Sequence, residues 1–232
     1  MLKIEKFNSF YGASQVLRDF DLQLDAGEVL CLLGRNGAGK TTALRSIMGL
    51  MKGRTGKISL NAQDISDLEP HEVPKMGIGY VPQGRRLFSE LTVRENLEIG
   101  LMTRNSTLDV LDKVLDYFPI LQERLNQTSG TLSGGEQQML AMGRALCIEP
   151  SIMLLDEPTE GLQPSMIKTI RDVVIRLRDQ GVGILLVEQR VEAVLSIADK
   201  VTFVENGYSQ ETILAKDLHD KPQLLKQYVG IG

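Results

Sequence analysis

The stretch EVLCLLGRNGAGKTT, residues 28–42, decides the fold. Its first half is an almost continuous apolar run, which is typical of a strand that is buried on both faces. Residues 34–42 then fit the pattern G-x-x-x-x-G-K-[ST], and helical periodicity follows in KTTALRSIMGL. A strand, this loop and a helix in that order predict a phosphate-binding loop, because the backbone N–H groups and the helix N-terminus attract anions. A glycine-rich turn with a solvated lysine is the alternative interpretation.

Every residue of this loop is a candidate for binding a nucleotide. Lys40 is predicted to reach the outer phosphates and to assist catalysis, and the hydroxyl of Thr41 is predicted to ligate Mg²⁺. The expected cofactors are therefore ATP and Mg²⁺. The predicted phosphate-binding residues are Gly34, Arg35, Asn36, Gly37, Ala38, Gly39, Lys40, Thr41 and Thr42.

Further apolar runs predict the rest of a sheet. IGYV (residues 78–81), SIMLLDE (151–157) and VGILLVE (182–188) have the same character as the first run, and helical periodicity lies between them. Strands and helices that alternate in this way indicate an α/β fold with a parallel sheet and helices on both faces. Two N-terminal segments, LKIEKF and VLRDFDLQL, alternate apolar and polar residues, which predicts half-buried antiparallel strands at one edge of the fold.

The pattern changes between about residues 92 and 146. Three segments with helical periodicity occur there, and no strand-like run separates them. This indicates a helical subdomain inserted into the α/β core, within a single domain that spans residues 1–232. In the tail, Asn206 and Gly207 predict a turn.

The composition narrows the class of protein. The chain has 232 residues, 42% of them hydrophobic and 24% charged, and its net charge of -4 argues against a nucleic acid as a partner. Cys31 and Cys147 lie far apart among apolar neighbours, which predicts buried thiols rather than a zinc or redox site. The N-terminal segment does not have the apolar core of a signal peptide, and no run approaches a membrane span of about 18 apolar residues. The expectation is a soluble, cytoplasmic protein.

Two adjacent carboxylates, Asp156 and Glu157, follow the buried run IMLL. By itself such a pair is more often a helix cap or part of a solvated loop. Beside a phosphate-binding loop, Asp156 is expected to hold Mg²⁺ through water. Glu157 is then expected to orient and deprotonate the water that attacks the γ-phosphate.

The segment TLSGGEQQ, residues 131–138, places two glycines where an amphipathic helix begins. Ser133 and Glu136 have the spacing of a capping box, so that Gly134 and Gly135 fall in the first helical turn. A glycine costs about 1 kcal/mol relative to alanine in a helix interior, and capping alone does not explain two of them. Bare N–H groups at a helix N-terminus suit an anion that comes close. Because one loop already holds the ATP, this second cradle is expected to serve a nucleotide on another copy of the chain.

Taken together, these segments resemble the ATP-binding cassettes of ABC transporters. LSGGEQ is similar to the family signature, and GRNGAGKTT, YVPQ and LLDEP occur in the family's order, so that the resemblance covers essentially the whole chain. It implies a P-loop ATPase that works as a head-to-tail dimer, in which the signature helix of one cassette closes over the ATP of the other. It also implies docking on transmembrane permease subunits at the cytoplasmic face of the inner membrane, with a periplasmic solute-binding protein as an indirect partner.

Further roles follow from the resemblance alone. Tyr11 corresponds to the aromatic residue that stacks on adenine, and Val16 to an apolar contact beside it. A half-buried tyrosine at a strand end is the alternative for Tyr11. Gln83 corresponds to the glutamine that senses Mg²⁺ and links the site to the helical subdomain. The segment GRRLFSELTVRENL, residues 84–97, corresponds to the surface that receives a coupling helix from a membrane subunit.

Two positions depart from the family pattern. Gln189 stands where most cassettes have a histidine that contacts the γ-phosphate, and it can hydrogen-bond a phosphate oxygen without carrying charge. Neither His71 nor His219, both in polar segments, is expected to reach the site. Gln163 stands where cassettes usually have an aspartate that communicates across the dimer. Gln189 is therefore expected to contribute to catalysis, with more of the hydrolysis resting on Glu157.

The resemblance also points to a subfamily. LLVEQ and TLSGGEQQMLAMGRAL are similar to ATPases that import branched-chain amino acids, urea or short amides, and LLDEPTEGLQPS favours the urea-type branch. The expected function is the ATP-hydrolysing subunit of an ABC importer, paired with a second cassette that is the same chain or a paralogue. Two alternatives stay open: a soluble cassette that acts as an ATP-driven switch, and a binding-only module that has lost catalysis.

Overall fold

The computed structural model describes residues 1–218 and 220–230 of the chain. Its strands are β1 (Leu2–Tyr11), β2 (Ser14–Leu24), β3 (Val29–Leu33), β4 (Gly53–Leu60), β5 (Gln63–Asp64), β6 (Ile78–Val81), β7 (Ile152–Asp156), β8 (Gly183–Val187), β9 (Lys200–Glu205) and β10 (Tyr208–Leu214). Its α-helices are α1 (Lys40–Ile47), α2 (Val93–Arg104), α3 (Leu108–Tyr117), α4 (Pro119–Glu123), α5 (Gly134–Leu146), α6 (Pro164–Asp179), α7 (Val191–Leu195) and α8 (Pro222–Tyr228). Among these described residues, no helix is both long enough and apolar enough to pass through a membrane.

The central sheet has six strands in the order β10-β9-β3-β8-β7-β6. The strands from β9 to β6 are parallel to one another, and β10 pairs antiparallel with β9. All four apolar runs of the sequence form parallel strands of this sheet, and every residue of β3, β7 and β8 is buried. Continuous apolar runs suit strands that are covered on both faces, which confirms the predicted α/β fold.

A second sheet, with the strand order β2-β1-β4-β5, is antiparallel throughout. Its strands β1 and β2 are the half-buried N-terminal strands that the alternating pattern predicts. They form a layer of their own and pack, together with α1, over one face of the central sheet. Phe7 and Phe20 of this layer lie in one apolar cluster with Leu30 and Leu32 of β3.

Helices cover the opposite face of the central sheet. Val29, Cys31 and Leu33 of β3 lie in a cluster with apolar residues of α2, α3, α5 and α6. Successive side chains of a strand point to opposite faces, and β3 therefore contributes to both clusters. Cys31 and Cys147 are free and buried, as predicted, and burial raises the pKa of both thiols. Helices thus lie on both faces, but on one of them α1 shares the cover with the second sheet.

The helices α2 to α5 occupy the region where the sequence predicts helical segments. Thr92 caps α2: its hydroxyl accepts from the N–H of Glu95 (3.2 Å), and its own N–H donates to the Glu95 carboxylate (2.7 Å). Asn96 is fully buried and bonds both the N–H and the carbonyl of Phe88, each over 3.1 Å. Asn96 thereby fixes the loop before α2. The helices are confirmed, and their assignment to an inserted subdomain stays a prediction.

The tail adds a strand and a helix that the sequence does not predict. Asn206 and Gly207, with φ values of 50° and 87°, form the predicted turn and join β9 to β10. Positive φ at both positions is typical of a type I′ hairpin turn. Helix α8 packs on β9, where the rings of Tyr228 and Phe203 stack with their centroids 4.7 Å apart.

Gly207 also permits a close approach of two backbones. A Cβ atom there would lie 2.0 Å from the carbonyl oxygen of Val16. We expect Gly207→Ala to lower the free energy of unfolding by more than about 2 kcal/mol, since left-handed strain costs about 1–2 kcal/mol and the clash adds to it. Gly181→Ala is the matched control, because its φ is 92° and no atom lies within 4 Å of the added Cβ. Urea denaturation compares the two variants, and equal losses would contradict the predicted clash.

Candidate nucleotide-binding site

The loop between β3 and α1 is the predicted phosphate-binding loop. Helix α1 begins at Lys40, and its first intrahelical bond runs from the N–H of Ala43 to the carbonyl of Gly39 (2.9 Å). The N–H groups before Ala43 in the first turn therefore have no acceptor within the helix. Together with the positive end of the helix dipole, they favour an anion at this end of α1.

Lys40 is held inside this loop. Its side chain is buried, and its Nζ donates to the carbonyl oxygens of Gly34 (2.7 Å) and Arg35 (3.1 Å). Burial lowers the pKa of Lys40, and the nearby carboxylates of Glu157 and Asp156 act in the opposite direction. An ammonium group has three protons, so one remains to be donated to a ligand.

Thr41 and Asp156 form a pair of oxygen donors at the base of the site. The hydroxyl of Thr41 donates to Oδ1 of Asp156 over 3.0 Å. Asp156 is 1% exposed, and its Oδ2 has no hydrogen-bond partner among the described residues. Burial raises the pKa of Asp156, and the bond from Thr41 opposes this shift. A buried carboxylate oxygen without a partner, beside a hydroxyl, suits Mg²⁺, which prefers oxygen ligands.

Glu157 and Gln189 face each other across the ends of β7 and β8. The Nε2 of Gln189 donates to Oε1 of Glu157 over 2.6 Å. Glu157 has a left-handed backbone with φ 49°, and its N–H donates to the carbonyl of Val187 (3.0 Å). Backbone strain of this kind persists where the surroundings hold it, and it is common at functional sites.

These elements surround a cavity of about 440 Å³. The predicted site residues that line it are Val16, Asn36, Gly37, Gly39, Lys40, Thr41, Thr42, Gln83, Glu157 and Gln189. The predicted residues that do not line it are Tyr11, Gly34, Arg35, Ala38, Asp156 and the four residues from Ser133 to Glu136. The cavity therefore extends from the phosphate-binding loop to the carboxyl ends of the parallel strands, which is where ligands bind in open α/β sheets.

The cavity wall also contains Glu160, which the sequence analysis missed. Its Oε2 accepts a hydrogen bond from Nε2 of Gln83 over 3.0 Å. The only sequence signal for Glu160 is its position on the same loop, three residues after Glu157. Gln163 is exposed at the N-cap of α6. His71 is exposed and does not line the cavity, as expected, and His219 lies outside the described residues.

Tyr11 lies at the end of β1 and is 45% exposed. The guanidinium carbon of Arg45 lies 5.7 Å from the centre of its ring, a cation–π distance. The open ring face is compatible with stacking on a base, and so is the position of Val16 in the cavity wall. The adenine contact remains a prediction.

The segment from Ser133 to Glu136 forms the predicted capping box at the start of α5. The N–H of Ser133 donates to the Glu136 carboxylate (2.8 Å), and the N–H of Glu136 donates to the Ser133 hydroxyl (3.4 Å). Glu136 also pairs with Arg124 over 2.8 Å. None of these residues lines the cavity of the same chain.

The two glycines of this segment differ in their surroundings. Gly135 is buried, and a Cβ there would lie 2.7 Å from Cγ of Met166 on α6, so packing alone is a reason for this glycine. A Cβ on Gly134 would lie 3.0 Å from a guanidinium nitrogen of Arg85. Gly134 is therefore the better candidate for a glycine that serves an anion, because packing already accounts for Gly135.

Comparison with known proteins decides the family. A family model described as ABC transporter matches residues 17–160, which contain the loop, the capped helix and the carboxylate pair. This chain belongs to the ABC transporter family.

Similar proteins extend this result to the whole chain. The high-affinity branched-chain amino acid transport ATP-binding protein BraG of Pseudomonas aeruginosa is 40% identical over 99% of this chain and 100% of that protein. The probable branched-chain amino acid transport ATP-binding protein LivF of Archaeoglobus fulgidus is 38% identical over 100% of this chain and 99% of that protein. The crystal structure of a nucleotide-free ATP-binding cassette from an ABC transporter has a TM-score of 0.87, at 26% identity and with 100% and 99% of the two chains covered.

Family membership confirms the class of the protein. The chain is the ATP-binding subunit of an ABC transporter, an ATPase that works with membrane transport proteins. The cavity beside the loop is the candidate site for the nucleotide.

Proposed function

We propose that this chain hydrolyses ATP to drive an ABC importer for branched-chain amino acids. The observation that carries the ATPase part is the convergence of Lys40, Thr41, Asp156 and Glu157 on one end of the central sheet. The names of BraG and LivF support the transported class of solute. The intact carboxylate pair argues against a binding-only module, and the family of transport proteins argues against a soluble switch.

The loop would hold the phosphates of ATP. Its N–H groups and the third proton of Lys40 supply the donors, and Tyr11 would stack on the adenine. Thr41 and Asp156 would hold Mg²⁺, with Gln83 beside them at the cavity wall. The bound ion would neutralise charge on the phosphate oxygens.

Hydrolysis needs a base close to the outer phosphate. Glu157 would accept a proton from water as the water oxygen attacks the γ-phosphorus, with ADP as the leaving group and inorganic phosphate as the second product. Gln189 would keep Glu157 in place through the bond to Oε1, and the second proton of its Nε2 would be donated to a phosphate oxygen. The neutral amide supplies no charge, and more of the catalysis then rests on Glu157.

A second cassette would complete the site. Ser133, Gly134, Gly135 and Glu136 do not line the cavity of their own chain. The capping box occupies the N–H groups of Ser133 and Glu136, and those of Gly134 and Gly135 in the first turn have no acceptor within the helix. We propose that this helix N-terminus closes over ATP held by another cassette, which is either the same chain or a paralogue. One nucleotide would then be gripped from two sides.

The remaining partners follow from the transporter class. Permease subunits would dock on residues 84–97, where Phe88 is 49% exposed. The guanidinium carbon of Arg144 lies 5.2 Å from the centre of the Phe88 ring, and this cation–π contact would hold the ring in its exposed position. The chain would then lie at the cytoplasmic face of the inner membrane, and a periplasmic solute-binding protein would deliver the solute to the permease.

The transported solute can be tested by reconstitution. The chain would be placed in liposomes with its cognate permease subunits and solute-binding protein. We expect ATP-dependent uptake of leucine and no uptake with a nonhydrolysable ATP analogue. Uptake of urea or acetamide without leucine would instead support the urea-type branch that the stretch LLDEPTEGLQPS favours. Absence of ATP turnover in the complete complex would contradict the ATPase proposal.

A further inference from the structure

Glu188 is a buried carboxylate outside the cavity, directly before Gln189. It is 3% exposed. Its Oε1 accepts a hydrogen bond from the hydroxyl of Thr159, and its Oε2 accepts from the backbone N–H of Gln189 over 3.2 Å. In the described part of the chain, Glu188 forms no ion pair with a basic side chain. Burying a carboxylate that has no ion-pair partner costs free energy, so we expect the hydrogen bonds that hold Glu188 to have a function.

Arg190 contacts the same threonine from the other side. Its Nη2 donates to the carbonyl oxygen of Thr159 over 3.0 Å and to the Thr159 hydroxyl over 2.8 Å. A hydroxyl group can donate one hydrogen bond and can also accept hydrogen bonds through its oxygen. Thr159 therefore donates to Glu188 and accepts from Arg190, and it is itself buried.

This arrangement ties two loops together around the catalytic pair. The residues on both sides of Gln189 bind Thr159, and the Gln189 side chain between them reaches Glu157 over 2.6 Å. Glu157 lies two residues before Thr159 and has a left-handed backbone. The bonds to Thr159 therefore restrict both ends of the Glu157–Gln189 contact.

We propose that Thr159 is a positioning residue for ATP hydrolysis, which holds Gln189 against Glu157 through Glu188 and Arg190. This inference rests on the proposed function, because that proposal makes Glu157 the base. Thr159 does not line the cavity and acts only through these neighbours. It should therefore affect the rate of the chemical step and leave the affinity for ATP unchanged.

Replacement of the hydroxyl tests this role in the full-length chain with Mg²⁺ and ATP. Thr159→Val keeps the shape and removes the two hydrogen bonds of the hydroxyl, while the bond from Arg190 to the Thr159 carbonyl can remain. We expect kcat to fall by about 10- to 100-fold with little change in KM, since misplacement by about 1 Å has effects of this size. Thr159→Ser keeps a hydroxyl and should restore most of the rate. A serine variant as slow as the valine variant, or a change in KM alone, would overturn the proposal.

A double-mutant cycle separates positioning from general damage. If Thr159 acts through Gln189, then Thr159→Val should slow a Gln189→Ala enzyme little further, because the contact that it positions is already lost. Additive losses would overturn the positioning role. Thermal melting of each variant shows whether the chain is folded.

Arg190→Ala provides a second variant if Thr159→Val does not fold. Arg190 is exposed, so its truncation leaves no core cavity while it removes two of the bonds to Thr159. We expect a smaller fall in kcat, again without effect in the Gln189→Ala background, and an additive fall would overturn the proposal. Full turnover by Glu157→Gln would overturn the proposed function together with this inference, whereas additivity in an enzyme that depends on Glu157 would overturn the inference alone.

Discussion

Glu157→Gln is expected to bind ATP with near-normal affinity and to lose turnover by about 10²- to 10⁴-fold. Glutamine has the shape of glutamate and keeps a carbonyl oxygen, which can still accept the 2.6 Å hydrogen bond that Gln189 donates to Oε1. The variant thus removes the proton acceptor without displacing its neighbours. Phosphate release and equilibrium binding of ATP, measured on the same sample, separate the two effects. Turnover close to that of the unmodified chain would contradict the assignment of Glu157 as the base.

The same variant also tests the shared site. When hydrolysis is blocked, ATP should hold two cassettes together, and light scattering should show a dimer with ATP and a monomer without it. Ser133→Ala in the Glu157→Gln background should weaken this dimer. Thr92→Ala is the matched control, because it removes the equivalent cap from α2 at a similar cost of about 0.5–2 kcal/mol. A Glu157→Gln chain that stays monomeric with ATP would count against two-sided binding.

Much of the fold could be predicted because its local signals agree with its tertiary structure. The apolar runs became buried parallel strands, since such runs require cover on both faces. The capping boxes of Ser133 with Glu136 and of Thr92 with Glu95 form as their spacing implies, because capping is a contact within four residues. The turn at Asn206 and Gly207 is local in the same way.

The contacts that complete the site could not be predicted because they join residues far apart in the chain. Gln83 meets Glu160, and Glu188 meets Thr159, across loops that the order of the parallel strands brings together. No periodicity in either segment signals such a pair. The same limit applies to Gly135, whose packing partner Met166 belongs to a different helix.

Lys40→Ala is expected to weaken ATP binding by about 30-fold or more. Lys40 is buried and has one proton left for a phosphate, and loss of one partner from a buried charged contact costs about 2–5 kcal/mol. Titration calorimetry with ATP and Mg²⁺ measures the loss directly. A parallel test is the rise of Tm with ATP, which ligand linkage predicts for the unmodified chain and which should be much reduced in the variant.

Two further substitutions separate the charge of Lys40 from its packing. Lys40→Met keeps a long apolar stem and removes the ammonium group, so it should bind ATP as poorly as Lys40→Ala if the charge matters. Lys52→Ala removes a lysine that is exposed and does not line the cavity, and its affinity for ATP should be unchanged. Near-normal ATP binding by a folded Lys40→Ala chain would show that the backbone N–H groups hold the phosphates without help. In that case the bonds from Lys40 to Gly34 and Arg35 would shape the loop, and the cation would have no direct role toward the nucleotide.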